Sequence, residues 1–229
     1  ISKLHAAGYR CIAPDTVGCG ESDMAERRDD YRLAEVCTDF MALLDHLRLD
    51  RVMVIGHDWG AVLAWHLAIH HPERITHLAA VSVGHPTAFA RAGLKQKVRS
   101  WYTVYFTMAG LAERLLLGSG RLSARRLLAS HPDVDAVPDR LRSPGRLTAA
   151  LRLYRANLLT LRRKRFGPAQ CPVLGSWSED DVALTERQML DSELRVTGPF
   201  RYRRFTGGHW IPLDQPERLA TEILDFAAR

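Results

Sequence analysis

The strongest candidate for chemistry in this sequence is the stretch from Gly56 to Gly60, which reads Gly-His-Asp-Trp-Gly. The apolar run Val52 to Ile55 precedes it, and a helix-like run beginning at Ala61 follows it. A strand, a sharp turn and a helix in this order are typical of a nucleophile elbow, where flanking glycines prevent clashes at the turn. The central residue, usually serine, is Asp58. Because a carboxylate is ionised at pH 7 without a base, it can displace a group at a saturated carbon and form an alkyl ester.

An aspartate at a strand-to-helix junction can also be a simple helix N-cap. His57 and Trp59 argue against that interpretation, because both are large and partly polar. A purely structural junction would use small residues at so tight a turn. The sequence therefore favours Asp58 as a nucleophile.

Cleavage of an alkyl ester by water needs a general base, and a histidine and an acid that could supply it follow later in the chain. His209 comes after Gly207 and Gly208, beyond a strand candidate at residues 200–205. The stretch from Glu179 to Asp181 offers three acidic neighbours after a strand candidate at residues 172–176. Nucleophile, acid, histidine is the chain order of one known class of hydrolytic triad, in which the acid orients the imidazole.

Strand and helix signals alternate around these residues, which predicts an α/β fold with a mostly parallel sheet. The predicted strands cover residues 9–13, 52–55, 75–83, 172–176 and 200–205, and the predicted helices cover residues 31–49, 61–69, 185–194 and 216–228. Residues 85–168 are rich in Arg and Leu and show no convincing strand. We predict a core of residues 1–84 and 169–229, with residues 85–168 as an inserted helical lid over the edge of the sheet where such folds bind ligands.

In this order the motifs resemble the epoxide hydrolases of the α/β-hydrolase superfamily, close relatives of the haloalkane dehalogenases. The resemblance rests on Gly56 to Gly60, on Ala13 to Asp15 and on Gly18 to Asp23, and it runs along nearly the whole chain. It implies that an epoxide is opened to a vicinal diol through an ester on the elbow aspartate.

The resemblance also assigns a role to each residue of the triad. Asp58 would be the nucleophile, His209 the base and Asp181 the acid that orients it. Ser178 stands where the family has glycine, so Asp180 stays open as the alternative acid. The backbone amide of Trp59 would supply one half of an oxyanion hole.

Two tyrosines of the lid match the family motifs that donate a hydrogen bond to the epoxide oxygen as the ring opens. Tyr102 lies in Trp-Tyr-Thr-Val-Tyr-Phe and Tyr154 in Leu-Tyr-Arg-Ala-Asn. The predicted substrate contacts are Trp59, His85, Tyr105 and Trp210.

Two other functions stay open. A haloalkane dehalogenase would use the same aspartate, but it would polarise the halide with Trp or Asn N–H groups, and His57 is typical of the epoxide hydrolases. The third option is a truncated, catalytically impaired or inactive homologue. The chain begins at Ile1, apparently inside a helix, and contains no His-Gly-x-Pro loop to complete the oxyanion hole.

The absent loop leads to two further expectations. We expect upstream residues to be missing, which would leave a gap in the sheet between residues 9–13 and 52–55. A folded chain without the second oxyanion donor is expected to cleave the ester slowly, since such a donor contributes about 3–4 kcal/mol.

Composition narrows the remaining classes of function. No apolar run is long enough for a membrane span, and none of the four cysteines forms a C-x-x-C pair. The net charge of +6 includes the run Arg162 to Arg165, which we interpret as solvated surface rather than a nucleic-acid site. We predict a cytoplasmic enzyme with a small apolar epoxide as substrate and no metal or organic cofactor. A homodimer is left open.

Overall fold

A computed structural model describes residues 1–228 of the chain. Within these residues one sheet has four parallel strands in the order β1-β2-β3-β4. The strands are β1 (Val52–His57), β2 (Ile75–Val81), β3 (Val173–Ser178) and β4 (Phe200–Phe205). The predicted α/β fold with a parallel sheet is confirmed.

Helices account for most of the remaining described residues. In chain order they are α1 (Ser2–Ala6), α2 (Leu33–His46), α3 (Trp59–His70), α4 (Pro86–Arg91), α5 (Leu94–Arg99), α6 (Trp101–Tyr105), α7 (Leu111–Leu116), α8 (Ala124–Leu127), α9 (Val137–Arg142), α10 (Arg146–Arg163), α11 (Glu186–Leu190), α12 (Ile211–Asp214) and α13 (Pro216–Ala227). Short 3-10 helices lie at Arg28–Tyr31 and Glu193–Arg195.

The sheet separates two apolar clusters, and the apolar run Leu78 to Val81 of β2 contributes side chains to both of them. Leu78 and Ala80 pack into the cluster formed with α2 and α3. Ala79 and Val81 face the opposite cluster, formed with α1 and α13. Because successive side chains of a strand point to opposite faces, a strand covered on both faces needs an unbroken apolar run.

The predicted strand at residues 9–13 is wrong. These residues have no regular secondary structure, and the side chains of Tyr9 and Ile12 are 37% and 41% exposed. An extended segment becomes a strand only where a neighbouring strand accepts and donates its backbone hydrogen bonds. In the described sheet β1 is an edge strand, so residues 9–13 have no strand beside them.

The segment between β2 and β3 folds as seven helices, α4 to α10, with a small apolar cluster of its own around Tyr105 and Leu151. Arg155 of α10 makes a bidentate ion pair with Glu113 of α7, with N–O distances of 2.7 and 2.9 Å. Asn157 of α10 accepts the backbone N–H of Leu33, the first residue of α2, and donates to the carbonyl oxygen of Tyr31 just before it. These contacts fix α10, which carries Tyr154. The division into core and lid stays a prediction.

The described residues contain no helix that combines the length and apolarity needed to cross a bilayer. The four cysteines are free thiols, and two of them, Cys37 and Cys171, are buried. Burial raises the pKa of Cys37 to about 12 and that of Cys171 to about 11, so both stay protonated.

Candidate active site

Asp58 occupies a strained turn between β1 and α3. Its backbone has φ 50° and ψ −118°, a conformation that residues other than glycine rarely adopt. Such strain costs roughly 1–3 kcal/mol and persists where the surrounding structure enforces it, often at functional sites. The turn leaves the Asp58 side chain 33% exposed above the sheet, at the start of α3.

The two glycines of the elbow are not equivalent. A Cβ at Gly56 would lie 2.1 Å from the carbonyl oxygen of Gly60, so no larger residue fits there without moving the backbone. A Cβ at Gly60 would meet no atom of residues 1–228 within 4 Å beyond its own helix and chain neighbours. The sequence-based expectation that both positions need glycine for steric reasons therefore holds only for Gly56.

The difference predicts opposite effects of two matched substitutions. Gly56→Ala should lower the free energy of unfolding by about 1–3 kcal/mol, because the strand and helix must move apart. Gly60→Ala should leave it unchanged or raise it by about 0.5–1 kcal/mol, since alanine is the better helix former. Urea denaturation measures both values. Equal losses in the two variants would contradict the steric assignment.

His209 bridges two carboxylates at the carboxyl end of the sheet. Its Nδ1 lies 2.8 Å from Oδ2 of Asp181, and its Nε2 lies 3.4 Å from Oδ2 of Asp58. The other oxygen of Asp181 accepts the backbone N–H groups of Ala183 and Leu184, each at 2.8 Å. The side chain of Asp180 is exposed, so the geometry favours Asp181 over Asp180 as the partner of His209.

The interactions among His209, Asp58 and Asp181 depend on the protonation state of each group. Burial alone would lower the pKa of His209, but its hydrogen bonds to Asp181 and Asp58 outweigh burial and raise the pKa to about 10. Burial would raise the pKa of Asp58, but the hydrogen bond from His209 is among the contacts that bring it below its ordinary value. At neutral pH the arrangement is therefore an imidazolium between two carboxylates.

Three side chains hold the loop that carries His209, and sequence reasoning gave none of them this role. His57 donates through Nε2 to the carbonyl oxygen of His209 at 2.9 Å, and burial lowers its pKa, which favours the neutral ring. Ser82 donates to the same oxygen at 3.3 Å. Ser178 donates to the carbonyl of Gly208 at 2.6 Å, a bond that the family's glycine could not make. The serine at position 178, where the family has glycine, was the only sequence feature that could have indicated these loop contacts.

An apolar cavity opens between the elbow and helices of the segment between β2 and β3. Asp58, Trp59, Tyr102 and Tyr154 all line it, together with Val62, Val83, Pro86, Phe89, Ser100, Thr103, Leu158, Leu161, Arg162 and Leu184. The rings of Trp59 and Tyr154 meet edge-on with centroids 4.9 Å apart. Burial, reinforced by the Asp58 carboxylate, raises the pKa of both tyrosines, so their hydroxyls remain hydrogen-bond donors at any ordinary pH.

His85, a predicted substrate contact, is not among the residues that line this cavity. It is fully buried, and its Nε2 donates to the carbonyl of Gly167 at 2.9 Å while its Nδ1 accepts the N–H of Thr87. Burial lowers its pKa to about 4, which keeps the ring neutral as these two bonds require. His85 thus ties together the two ends of the predicted lid.

Tyr105 and Trp210 are also not among the residues that line the cavity. The hydroxyl of Tyr105 lies 3.3 Å from the carbonyls of Ala112 and Leu122, inside the apolar cluster that Tyr105 forms with Leu151 and its neighbours. The ring of Trp210 packs edge-on against His209, and its Nε1 donates to Ser130. Both side chains pack against other residues in this structure, and their role as substrate contacts stays a prediction.

No group of three or more His, Cys, Asp or Glu side chains within residues 1–228 is arranged to hold a metal ion.

Comparisons with known proteins agree with this fold. A sequence model of the alpha/beta hydrolase fold family matches residues 1–216. The AB hydrolase superfamily protein YfhM of Bacillus subtilis is 30% identical over 237 residues, which cover 99% of this chain and 83% of that protein. Epoxide hydrolase 3 of Xenopus tropicalis is also 30% identical, over 96% of this chain and 64% of that protein. This chain thus spans a little under two thirds of the length of the frog protein.

A similar solved structure belongs to a set of epoxide hydrolases from metagenomes of hot environments. It superposes with a TM-score of 0.81 and 22% sequence identity, and the match covers 95% of this chain and 81% of that one. At this identity the likeness establishes the fold alone.

Proposed function

We propose that this chain, which belongs to the α/β-hydrolase family, opens an epoxide to a vicinal diol through an ester on Asp58. The observation that carries the proposal is one cavity in which an elbow aspartate faces two tyrosines, while a histidine joins that aspartate to a second acid. The names of several relatives, including the frog protein and the hot-environment structures, support the same substrate class.

Ring opening uses groups that are already in the required form. A carboxylate oxygen of Asp58 attacks a ring carbon, and the bond from that carbon to the ring oxygen breaks. Tyr102 and Tyr154 donate hydrogen bonds to the oxygen as it gains negative charge. Because their pKa values are raised, they remain protonated and act chiefly as donors.

Formation of the ester also changes the protonation of His209. The Asp58 carboxylate is one of the two groups that raise the histidine pKa, and an ester carries no charge. The pKa of His209 therefore falls when the ester forms, and the proton it releases balances the one that the product alkoxide takes up. The same event that makes the ester converts His209 into a free base.

The second step restores the starting state. Neutral His209 takes a proton from water, and the hydroxide attacks the carbonyl carbon of the Asp58 ester. The bond between the carbonyl carbon and the ester oxygen breaks, and the proton of the new Asp58 acid passes to the departing oxygen. The diol leaves, and the imidazolium lies again between the Asp58 and Asp181 carboxylates. Asp181 stabilises that imidazolium and fixes its orientation.

The role of the tyrosines provides the test. Tyr102→Phe and Tyr154→Phe should each slow ester formation from styrene oxide by about 10²–10⁴-fold, the usual contribution of a group that donates to a leaving oxygen. Tyr105→Phe is the matched control, because its hydroxyl bonds only lid carbonyls. It should leave the rate unchanged and cost about 1 kcal/mol of stability. Rapid-quench mass spectrometry of the protein measures the rate.

Two outcomes would oppose the proposal. Full activity of both tyrosine variants would remove the argument for an epoxide. Halide release from a chloroalkane panel without diol from any epoxide would favour a haloalkane dehalogenase instead. The cytoplasmic location and a homodimer stay predictions, the first supported by the four free cysteines.

A further inference from the structure

The loop after β3, which carries Asp181, is held from outside by two side chains of α5. Arg99 donates through Nη1 to the carbonyls of Asp181 and Leu184, each at 2.7 Å. Gln96 donates through Nε2 to the carbonyl of Ala183 at 3.0 Å. The Oε1 of Gln96 accepts the N–H of Thr185 at 2.8 Å and its hydroxyl at 2.9 Å. Five hydrogen bonds thus join one short helix to this loop.

The bonds act on the same peptide planes that hold the Asp181 carboxylate. The plane between Ala183 and Leu184 donates its N–H to Oδ1 of Asp181, and its carbonyl accepts from Gln96. In the next peptide plane, between Leu184 and Thr185, the carbonyl accepts a hydrogen bond from Arg99 and the N–H donates one to Gln96. Rotation of either plane would therefore break a bond to α5, and rotation of the first would also release Asp181.

The contact between α5 and the core is largely polar, which is unusual for a packed helix. Leu94 is 76% exposed and Val98 is also exposed, whereas Gln96 is only 2% exposed. Arg99 makes no ion pair within residues 1–228. Its guanidinium donates to two backbone carbonyls instead of to a carboxylate. A buried amide with all its polar atoms partnered specifies one geometry, because any shift leaves a buried donor or acceptor unpaired.

We propose that Gln96 and Arg99 are positioning residues through which the lid sets the orientation of Asp181, and so of His209. This inference rests on the proposed function. Asp181 acts only through His209, which is needed to cleave the ester and not to form it. Hydrolysis of the Asp58 ester therefore depends on the seating of α5, while ester formation does not.

The test separates the two steps in Gln96→Met and Arg99→Ala. With styrene oxide in single-turnover mass spectrometry, both variants should form the ester within about threefold of the wild-type rate. Both should hydrolyse it up to about 10²-fold more slowly, the size of effect expected from a small misplacement of a catalytic group. Arg99→Lys, which can still donate to both carbonyls, should recover part of the loss. Lys97→Ala, on the exposed side of the same helix, is the matched control.

Each outcome decides the inference. Ester decay at the wild-type rate in Gln96→Met and Arg99→Ala overturns it and leaves the proposed function intact. Equal slowing of both steps, with a lower unfolding temperature and no recovery in Arg99→Lys, assigns the pair a purely structural role. If the wild-type chain forms no ester at all, the proposed function fails and this inference falls with it.

Discussion

Replacement of His209 by glutamine is expected to stop the reaction at the ester on Asp58. The nucleophile is ionised without help, so styrene oxide should still alkylate the protein at a rate within about tenfold of wild type. Diol formation should fall roughly 10⁴-fold or more, the loss seen when a catalytic base is removed from a hydrolytic triad. Intact-protein mass spectrometry should find one adduct per chain, and peptide mapping should place it on Asp58.

The pH dependence of the second step gives an independent check. In the free enzyme the pKa of His209 is about 10, so His209 is protonated at any lower pH. The neutral ester removes one of the two carboxylates that raise this pKa. Ester decay in the wild-type chain should therefore rise with pH as His209 loses its proton, at a pH lower than 10. In His209→Gln the decay should be slow and should lack this rise.

A histidine on the surface supplies the control for this experiment. His46 is exposed at the end of α2, and His46→Gln should change neither step. Wild-type diol formation by His209→Gln would mean that another group activates water. A lack of adduct in both the variant and the wild type would exclude a covalent route.

The parts of the site that sequence predicts well are those encoded by local geometry. A strand that meets a helix at a sharp turn leaves room only for glycine at residue 56, and an apolar run marks the strand before it. The sequence alone therefore predicts the elbow and the position of Asp58 within it. The choice between Asp181 and Asp180 could not, because it depends on where the turn after β3 begins, and that is fixed by contacts such as the bond from Ser178 to Gly208.

Other features depend on residues that are distant in the chain. The segment at residues 9–13 has the composition of a strand but no strand beside it in the described sheet. Tyr102 and Tyr105 lie three residues apart on one short helix, and only the packing of that helix decides which one faces the cavity. Gln96 and Arg99 read as ordinary polar residues of a surface helix, because the carbonyls they bind are more than 80 residues away in sequence.

Removal of the nucleophile itself should separate catalysis from stability. Asp58→Ala and Asp58→Gly should both form no ester and should lose diol formation by roughly 10⁴-fold or more, since no other carboxylate can take the place of Asp58 at the elbow. Their stabilities should differ. Alanine keeps the cost of a side chain at φ 50°, whereas glycine adopts that conformation freely.

The glycine variant should therefore be the more stable of the two by about 1 kcal/mol, after allowance for the greater flexibility of glycine in the unfolded chain. Urea denaturation of both proteins, alongside the adduct measurement, tests this directly. Equal stabilities would mean that the turn relaxes once the aspartate is gone, so that the aspartate side chain itself holds the strained geometry. Adduct formation in either variant would move the nucleophile to another residue. A stable but inactive Asp58→Gly would instead show that the positive φ at this position is a strain maintained for catalysis, with the rigid junction around Gly56 enforcing it.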